Sequence, residues 1–208
     1  MDGNLMRLYA ITDRAWLSGR TLTEAVEQTL RGGATIVQLR EKHLDDEAFL
    51  AQARALRAIC TKYGVPLIIN DRPDIAAACD ADGVHVGQSD MDIRQARRIL
   101  GTGKYIGTSA HSVEEALCAQ ESGADYLGTG SVFCTSTKPD AGHLPRHTLQ
   151  EICRAVSIPV VAIGGITEDN LPQLAGSGVD GVAVVSAIFA QPDIESAARR
   201  LRTLADAL

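Results

Sequence analysis

Cationic and amide side chains cluster in the segment Gln38-Leu39-Arg40-Glu41-Lys42. An arginine can bind a phosphate through two parallel N–H donors, and a lysine adds a mobile point charge. Side chains alternate along an extended segment, so Gln38, Arg40 and Lys42 are expected on one side of it. The segment predicts an anion-binding site, although a solvated loop of mixed charge would give the same pattern.

Two carboxylates follow apolar runs further along the chain, in Asn70-Asp71 and in Gly87-Gln88-Ser89-Asp90. Magnesium favours oxygen ligands and is commonly bound by one or two carboxylates together with phosphate oxygens of the substrate. Each aspartate alone is also explained as a helix N-cap, since Asp71 precedes Arg72-Pro73 and Asp90 precedes a helical pattern. Their position beside a cationic segment favours a Mg²⁺ site formed by Asp71 and Asp90.

Hydroxyl groups and one more lysine follow the next two apolar runs. Ser109 is a candidate hydrogen-bond donor to a phosphate, and His111 is either a general base or a structural histidine. The segment Thr135-Ser136-Thr137-Lys138 lies in the longest loop, about residues 129–147. Hydroxyls and a lysine in a long loop suit anion capture, with loop closure excluding water.

A second anion-binding region is predicted from Gly164-Gly165-Ile166 and Val185-Ser186. Backbone N–H groups at a helix start bind phosphate, and Gly165 permits a close approach of the backbone. This region suits a monophosphate, whereas the cationic region suits the larger charge of a pyrophosphate. No lysine lies at the end of an apolar run in a desolvated environment, which argues against a Schiff-base aldolase.

The elements that position these residues are eight short runs rich in Val, Ile and Leu. They lack polar alternation, which is typical of parallel strands buried on both faces. The predicted strands are Leu8–Thr12, Thr35–Leu39, Pro66–Asn70, Gly83–Val86, Tyr105–Thr108, Asp125–Gly128, Pro159–Ile163 and Gly181–Val185.

Amphipathic helical patterns separate the strands. Asp45-Asp46-Glu47 gives one helix an acidic first turn, and Ser112-Val113-Glu114-Glu115 has the form of a capping box. Four similar turns lead from helix to strand, in Gly33-Ala34-Thr35, Ala81-Asp82-Gly83, Gly123-Ala124-Asp125 and Gly178-Val179-Asp180. Eight such units predict an α/β protein with one (β/α)₈ barrel domain over residues 1–208, and a doubly wound open sheet is the alternative.

Composition narrows the class of protein. With 208 residues, 45% hydrophobic and 22% charged, the chain has the values of an ordinary globular protein. A net charge of −6 argues against a general nucleic-acid binder. The absence of a long apolar stretch or a signal-peptide pattern leads us to expect a cytoplasmic protein without a membrane partner. Five cysteines without a C-x-x-C pair favour neither disulfides nor zinc, and a monomer and a homo-oligomer both remain open.

Taken in order along the chain, the motifs resemble those of the thiamine phosphate synthase family. The resemblance extends from Leu8 to the last helix. It rests on Gln38-Leu39-Arg40-Glu41-Lys42, Asn70-Asp71, Gly87-Gln88-Ser89-Asp90, Ser109-Ala110-His111, Thr135-Ser136-Thr137-Lys138, Gly164-Gly165-Ile166 and Val185-Ser186.

The resemblance implies a transferase that condenses hydroxymethylpyrimidine pyrophosphate with a thiazole phosphate, plain or carboxylated, into thiamine phosphate and pyrophosphate through a pyrimidine carbocation. It implies Mg²⁺ bound by Asp71 and Asp90 and catalytic roles for Arg40, Lys42, Lys138 and Ser109. The implied substrate-binding residues are Gln38, Leu39, Arg40, Glu41, Lys42, Asn70, Ser109, Thr135, Ser136, Thr137, Lys138, Gly165, Val185 and Ser186.

Two positions depart from the family pattern. Cys134 stands where the family usually has proline, and Arg146 stands where a glycine is usual. The close alternative is a thiazole tautomerase with the same barrel, in which His111 would transfer the proton. That enzyme has no need of Arg40-Glu41-Lys42, Asn70-Asp71 and Asp90 together, which favours the synthase. The carboxylates and lysines argue against a non-catalytic phosphate-binding regulator, because binding a monophosphate would not need them.

Overall fold

The computed structural model describes residues 2–88, 90–134 and 142–208 and contains a closed barrel of eight parallel strands in chain order. The closed barrel is confirmed over the doubly wound sheet, and each predicted strand overlaps an observed one. The strands are β1 Leu8–Ile11, β2 Ile36–Leu39, β3 Leu67–Asn70, β4 Gly83–Val86, β5 Tyr105–Ala110, β6 Tyr126–Gly130, β7 Val160–Ile163 and β8 Gly181–Val184.

Helices surround the barrel and connect its strands. They are α1 Leu22–Arg31, α2 Asp46–Tyr63, α3 Pro73–Ala78, α4 Ile93–Leu100, α5 Val113–Glu121, α6 Arg146–Ala155, α7 Ser186–Phe189 and α8 Ile194–Ala205. The connection from β7 to β8 contains only a 3₁₀ turn, Leu171–Leu174, followed by the glycines Gly176 and Gly178 at positive φ. Within the described residues, no helix is both long and apolar enough to span a membrane.

The strands separate two hydrophobic layers, which explains why they show no polar alternation. Inward-facing residues fill the barrel, and they include Met6, Tyr9, Ile36, Ile68, Tyr126 and Val161. Intervening residues such as Ala10 and Val37 pack outward against the helices in the larger cluster. Both faces of each strand are therefore buried, as expected for a barrel interior packed with side chains.

A repeated pair of hydrogen bonds joins neighbouring strands at the amino-terminal end of the barrel. The backbone N–H of Asp125 donates to the carbonyl oxygen of Ile106 at 2.7 Å, and Oδ2 of Asp125 accepts from the N–H of Ile106 at 2.7 Å. Thr35, Asp82 and Asp180 bind Leu8, Leu67 and Val160 in the same two-bond manner. We call these four pairs the strand clamps. They occupy the predicted helix-to-strand turns and link β1 to β2, β3 to β4, β5 to β6 and β7 to β8.

Candidate active site

A cavity opens at the carboxyl-terminal ends of the strands, where the sequence places the polar motifs. Inward-facing strand residues form its floor, and the turns after β5, β6, β7 and β8 form much of its rim. Its lining comprises Tyr9, Ile11, Gln38, Arg40, Asn70, His85, Ser109, His111, Gly128, Gly130, Ser131, Val161, Ile163, Gly164, Gly165, Ile166, Ala183, Val184, Val185 and Ser186.

Arg40 enters the cavity directly after β2. Its backbone N–H donates to the hydroxyl of Thr12 at 3.0 Å, and its guanidinium lies 3.5 Å from Oδ2 of Asp13. Both partners follow β1, the neighbouring strand. The first anion-binding region therefore contains an arginine that is anchored through its backbone and kept in place by a carboxylate.

Gln38 also lines the cavity, whereas Leu39, Glu41 and Lys42 of the same segment lie outside its lining. β2 ends at Leu39, whose side chain is buried in the layer between sheet and helices, so any contact with a ligand must come from its backbone. Glu41 forms an ion pair with Arg14 at 2.7 Å, and burial raises the pKa of Glu41 in spite of that arginine. Lys42 is exposed, because β2 ends at Leu39 and the alternation that includes Arg40 does not extend as far as Lys42.

Asn70 and Asp71 lie where β3 ends, next to β4. Asn70 lines the cavity, whereas Asp71 is exposed and has a left-handed backbone with φ of +62°. The backbone N–H of Asp71 donates to the carbonyl oxygen of His85 at 2.8 Å, which fixes the turn against β4. The N-cap position of α3 is Arg72, so the helix-cap explanation of Asp71 is wrong.

Asp90 follows β4, the adjacent strand. Its Oδ2 accepts a hydrogen bond from the N–H of Gly87 at 2.7 Å, and Asp92 instead caps α4. The helix-cap explanation of Asp90 is therefore also wrong. Among the described residues, no group of three or more His, Cys, Asp or Glu side chains forms a metal site. Two carboxylates on neighbouring strands suit a magnesium ion that takes its remaining ligands from phosphate oxygens and water.

A buried chain of hydrogen bonds crosses the cavity floor. Nε2 of Gln38 donates to the hydroxyl of Tyr9 at 2.7 Å, and the hydroxyls of Tyr9 and Tyr126 are 2.8 Å apart. Nδ1 of His85 lies 3.2 Å from the hydroxyl of Tyr126, and Nε2 of His85 lies 3.2 Å from Oγ of Ser109. We call these five residues the polar chain. Burial is the main cause that raises the pKa of both tyrosines, so both hydroxyls keep their protons.

Sequence reasoning found the two ends of the polar chain and missed its three middle members. Tyr9, His85 and Tyr126 belong to strands but do not lie at their carboxyl-terminal ends. Alternation within β4 gives the missing signal for His85. His85 lies fifteen residues after Asn70, pairs with it in register and faces the cavity as Asn70 does. Space for the Tyr126 ring comes from Gly107, where a Cβ would lie 2.0 Å from the ring.

His111 lies at the rim of the cavity, after β5. Its backbone N–H donates to Oε2 of Glu115 at 2.7 Å, and its Nδ1 lies 3.1 Å from the same oxygen. Ser112 accepts from the N–H of Glu115 at 3.2 Å, as its cap motif predicts. The capping box is incomplete, however, since the Glu115 carboxylate binds His111 instead of returning to Ser112.

The second anion-binding region lies at the ends of β7 and β8, where Gly164, Gly165, Val185 and Ser186 line the cavity. Gly165 has a φ of +65°, and a Cβ there would lie 2.2 Å from the carbonyl oxygen of Cys134. Asn170, which sequence reasoning missed, fixes this turn by donating to the carbonyl oxygen of Gly165 at 2.8 Å. The region presents mainly backbone and one hydroxyl, as the sequence predicts.

Thr135, Ser136, Thr137 and Lys138 lie outside the described residues. The two departures from the family pattern flank that segment. Cys134 is exposed, and its carbonyl oxygen packs against Gly165. Arg146 begins α6 and donates to the carbonyl oxygen of Ala175 at 2.9 Å, so it adds no charge to the cavity lining.

Sequence comparison matches residues 8–188 to the family described as thiamine monophosphate synthase. A protein named thiamine-phosphate synthase from Ruminiclostridium cellulolyticum is 54% identical over 194 residues, covering 93% of this chain and 92% of that protein. Another of the same name, from Clostridium novyi, is 50% identical over 205 residues, covering 98% of this chain and all of that protein.

Structure comparison agrees with the sequence matches. The solved structure of a thiamine phosphate pyrophosphorylase from Pyrococcus furiosus superposes with a TM-score of 0.91 at 41% identity, covering 98% of this chain and 97% of that one. A protein of the same description from Bacteroides thetaiotaomicron has a TM-score of 0.71 at 21% identity, which supports the barrel fold alone.

Proposed function

The chain belongs to the thiamine monophosphate synthase family, and we propose that its strand-end residues carry out the synthase reaction in the cavity described above. It is a transferase of thiamine biosynthesis that acts on small phosphorylated substrates. The substrates we assign are hydroxymethylpyrimidine pyrophosphate and a thiazole phosphate. The products are thiamine phosphate and pyrophosphate.

One observation carries this assignment to the cavity. Arg40 and Asn70 line it where β2 and β3 end, Gly165 and Ser186 line it after β7 and β8, and Gln38 and Ser109 line it from within β2 and β5. One cavity therefore offers a cationic region, a region of backbone and hydroxyl groups, and polar contacts for a ring. A reaction that joins a pyrophosphate ester to a phosphate ester requires these three environments side by side.

In the proposed reaction, the bond between the pyrimidine methylene carbon and the pyrophosphate oxygen breaks, and its electron pair leaves with the oxygen. The thiazole nitrogen then forms a bond to the pyrimidine carbocation. Negative charge grows on the leaving oxygen as the bond breaks. Fixed cations stabilise this developing charge more than they stabilise the substrate, which lowers the barrier.

Residue roles follow from position. We assign the pyrophosphate to Arg40 and Asn70 together with Lys42 and Lys138, and the pyrimidine to Gln38 and Ser109. We assign the thiazole phosphate to Gly165, Val185 and Ser186 together with Thr135, Ser136 and Thr137. These assignments agree with the lining of the cavity for Gln38, Arg40, Asn70, Ser109, Gly165, Val185 and Ser186.

Asp71 and Asp90 would hold Mg²⁺ between the ends of β3 and β4. Two carboxylates fit this ion, because the pyrophosphate supplies further oxygen ligands. When bound, the ion supplies positive charge that neutralises the pyrophosphate. Asp90 can serve while it closes its own turn, since only Oδ2 accepts from Gly87.

A direct assay tests the proposal. Purified protein with both substrates and Mg²⁺ is expected to release pyrophosphate and form thiamine phosphate in equal amounts. Omitting the thiazole phosphate should stop thiamine phosphate formation. Absence of product with both substrates present would refute the synthase assignment. The tautomerase alternative is not favoured by the relatives, and it predicts isomerised thiazole without pyrophosphate release.

A further inference from the structure

The polar chain has a direction, and that direction starts at Gln38. Nε2 of Gln38 donates to the hydroxyl of Tyr9, so the single proton of Tyr9 is left for Tyr126. The proton of Tyr126 then goes to Nδ1 of His85. A neutral imidazole that accepts at Nδ1 carries its proton on Nε2, which therefore donates to Oγ of Ser109.

The last step decides what Ser109 offers to a ligand. Oγ of Ser109 accepts from His85, so its own proton is directed away from His85 and is available to the cavity that Ser109 lines. At the other end, the amide of Gln38 uses Nε2 for Tyr9, which leaves its oxygen as the acceptor. We propose that Tyr9, Tyr126 and His85 are positioning residues that make Ser109 a donor and Gln38 an acceptor toward the bound substrate.

Proton counting supports this direction. Within the described residues, each tyrosine hydroxyl has only its two neighbours in the polar chain as partners. Each hydroxyl has one proton, so it donates to one neighbour and accepts from the other, and the bonds of the polar chain all run the same way. Rotating the Gln38 amide by half a turn would reverse every bond, and Ser109 would then donate to His85. With a neutral imidazole at His85, the two ends are thus complementary, and the Gln38 amide sets which end donates.

The direction gives the ligand class. Ser109 as donor requires an acceptor such as a ring nitrogen, and Gln38 as acceptor requires a donor such as an amine. A neutral aminopyrimidine carries both groups, and its oxo counterpart presents an acceptor where Gln38 also presents one. The identity of this ring rests on the proposed function, whereas the direction of the polar chain does not.

The first test is spectroscopic and needs no substrate. In ¹⁵N-labelled protein, long-range ¹H–¹⁵N correlation spectra distinguish the two neutral histidine tautomers, and His85→Asn identifies the His85 signals. We expect a protonated Nε2 and an unprotonated Nδ1. A protonated Nδ1 would overturn the inference, because it requires the reverse direction.

The second test is kinetic. Tyr126→Phe keeps the ring and removes the link between Tyr9 and His85. We expect the KM for the pyrimidine pyrophosphate to rise roughly three- to tenfold, the range for one neutral hydrogen bond, with little change for the thiazole phosphate. Tyr105→Phe is the matched control, because Tyr105 packs against the same inner cluster and its hydroxyl has no partner in the described part of the chain.

A double-mutant cycle separates positioning from packing. If Tyr126 acts through Ser109, Tyr126→Phe should have no further effect in the Ser109→Ala background. An equal loss in both backgrounds would overturn the inference. Tyr9→Phe breaks the preceding bond and replaces Tyr126→Phe if that variant does not fold. A wild-type protein that forms no thiamine phosphate would refute the proposed function alone, and the His85 spectra would still decide the direction.

Discussion

Gly165→Ala tests the close backbone approach in the second anion-binding region. Gly165 has a φ of +65°, and the added Cβ would lie 2.2 Å from the carbonyl oxygen of Cys134 and 2.8 Å from that of Phe133. The left-handed conformation costs an alanine about 1–2 kcal/mol. Overpacking against backbone atoms adds about 1–3 kcal/mol, so we expect a total loss of about 2–5 kcal/mol in the free energy of unfolding.

Two matched glycines divide this loss into its parts. Gly176 has a φ of +73°, and no atom of the described residues lies within 4 Å of the position that a Cβ would take, so Gly176→Ala should lose only the conformational part. Gly103 has no positive φ and no close neighbour in the part of the chain that the structure describes, and Gly103→Ala should cost almost nothing. Urea unfolding followed by circular dichroism measures all three variants under the same conditions.

Activity gives the second measurement on Gly165→Ala. Relief of the contact must displace either the turn after β7 or the segment that ends at Cys134. A small misplacement of a binding group lowers the reaction rate strongly. We expect the KM for the thiazole phosphate to rise at least about tenfold, with a smaller effect on the pyrimidine pyrophosphate. If Gly165→Ala behaved like Gly176→Ala in both stability and KM, the close approach would not constrain the site.

Three further predictions concern other parts of the molecule. Asp71→Asn removes the charge but keeps a residue type that tolerates positive φ, so it should raise the activation barrier by about 2–4 kcal/mol and weaken the Mg²⁺ dependence of the rate. The control is Asp80→Asn, at a residue with φ of +53°, which should leave that dependence unchanged. An unchanged dependence in Asp71→Asn would exclude Asp71 as a ligand. Asp125→Ala should lower the free energy of unfolding by about 1–3 kcal/mol, because the backbone N–H of Ile106 in β5 loses its partner. Urea unfolding measures the loss, and no change would mean that the strand clamp is dispensable. Burial raises the pKa of Cys60 to about 12, so a thiol reagent at pH 8 should label the exposed Cys118 before Cys60, and Cys60 should react faster as the pH rises. Equal labelling rates for these two cysteines by mass spectrometry would contradict this.

The fold follows from the sequence because barrel strands are buried on both faces. Continuous apolar runs, each followed by a polar motif, were sufficient to predict eight strands in order. The segment after β2 was harder to predict. Alternation places Gln38 and Arg40 in the cavity, but β2 ends at Leu39 and the pattern does not extend to Lys42. Lys42 therefore does not line the cavity, although it continues the alternate spacing of Gln38 and Arg40 in the sequence.

The candidate site was predictable at strand ends and much less so within strands. Gln38 and Ser109 follow from their positions, but His85 and Tyr126 look like ordinary strand residues until the barrel brings β4 and β6 into reach of each other. Pairing across the barrel interior depends on space as well as on spacing. The glycine at position 107 supplies that space for Tyr126, and nothing local to the sequence indicates it.

The strand clamps have a consequence for the order of folding. Each joins residues that are close along the chain, with separations of 27, 15, 19 and 20 residues for Thr35, Asp82, Asp125 and Asp180. Short closures lose little chain entropy, so these contacts can form early and independently of one another. We expect four two-stranded units to assemble first. Contact between β8 and β1, the most distant pair in the sequence, would then close the barrel last.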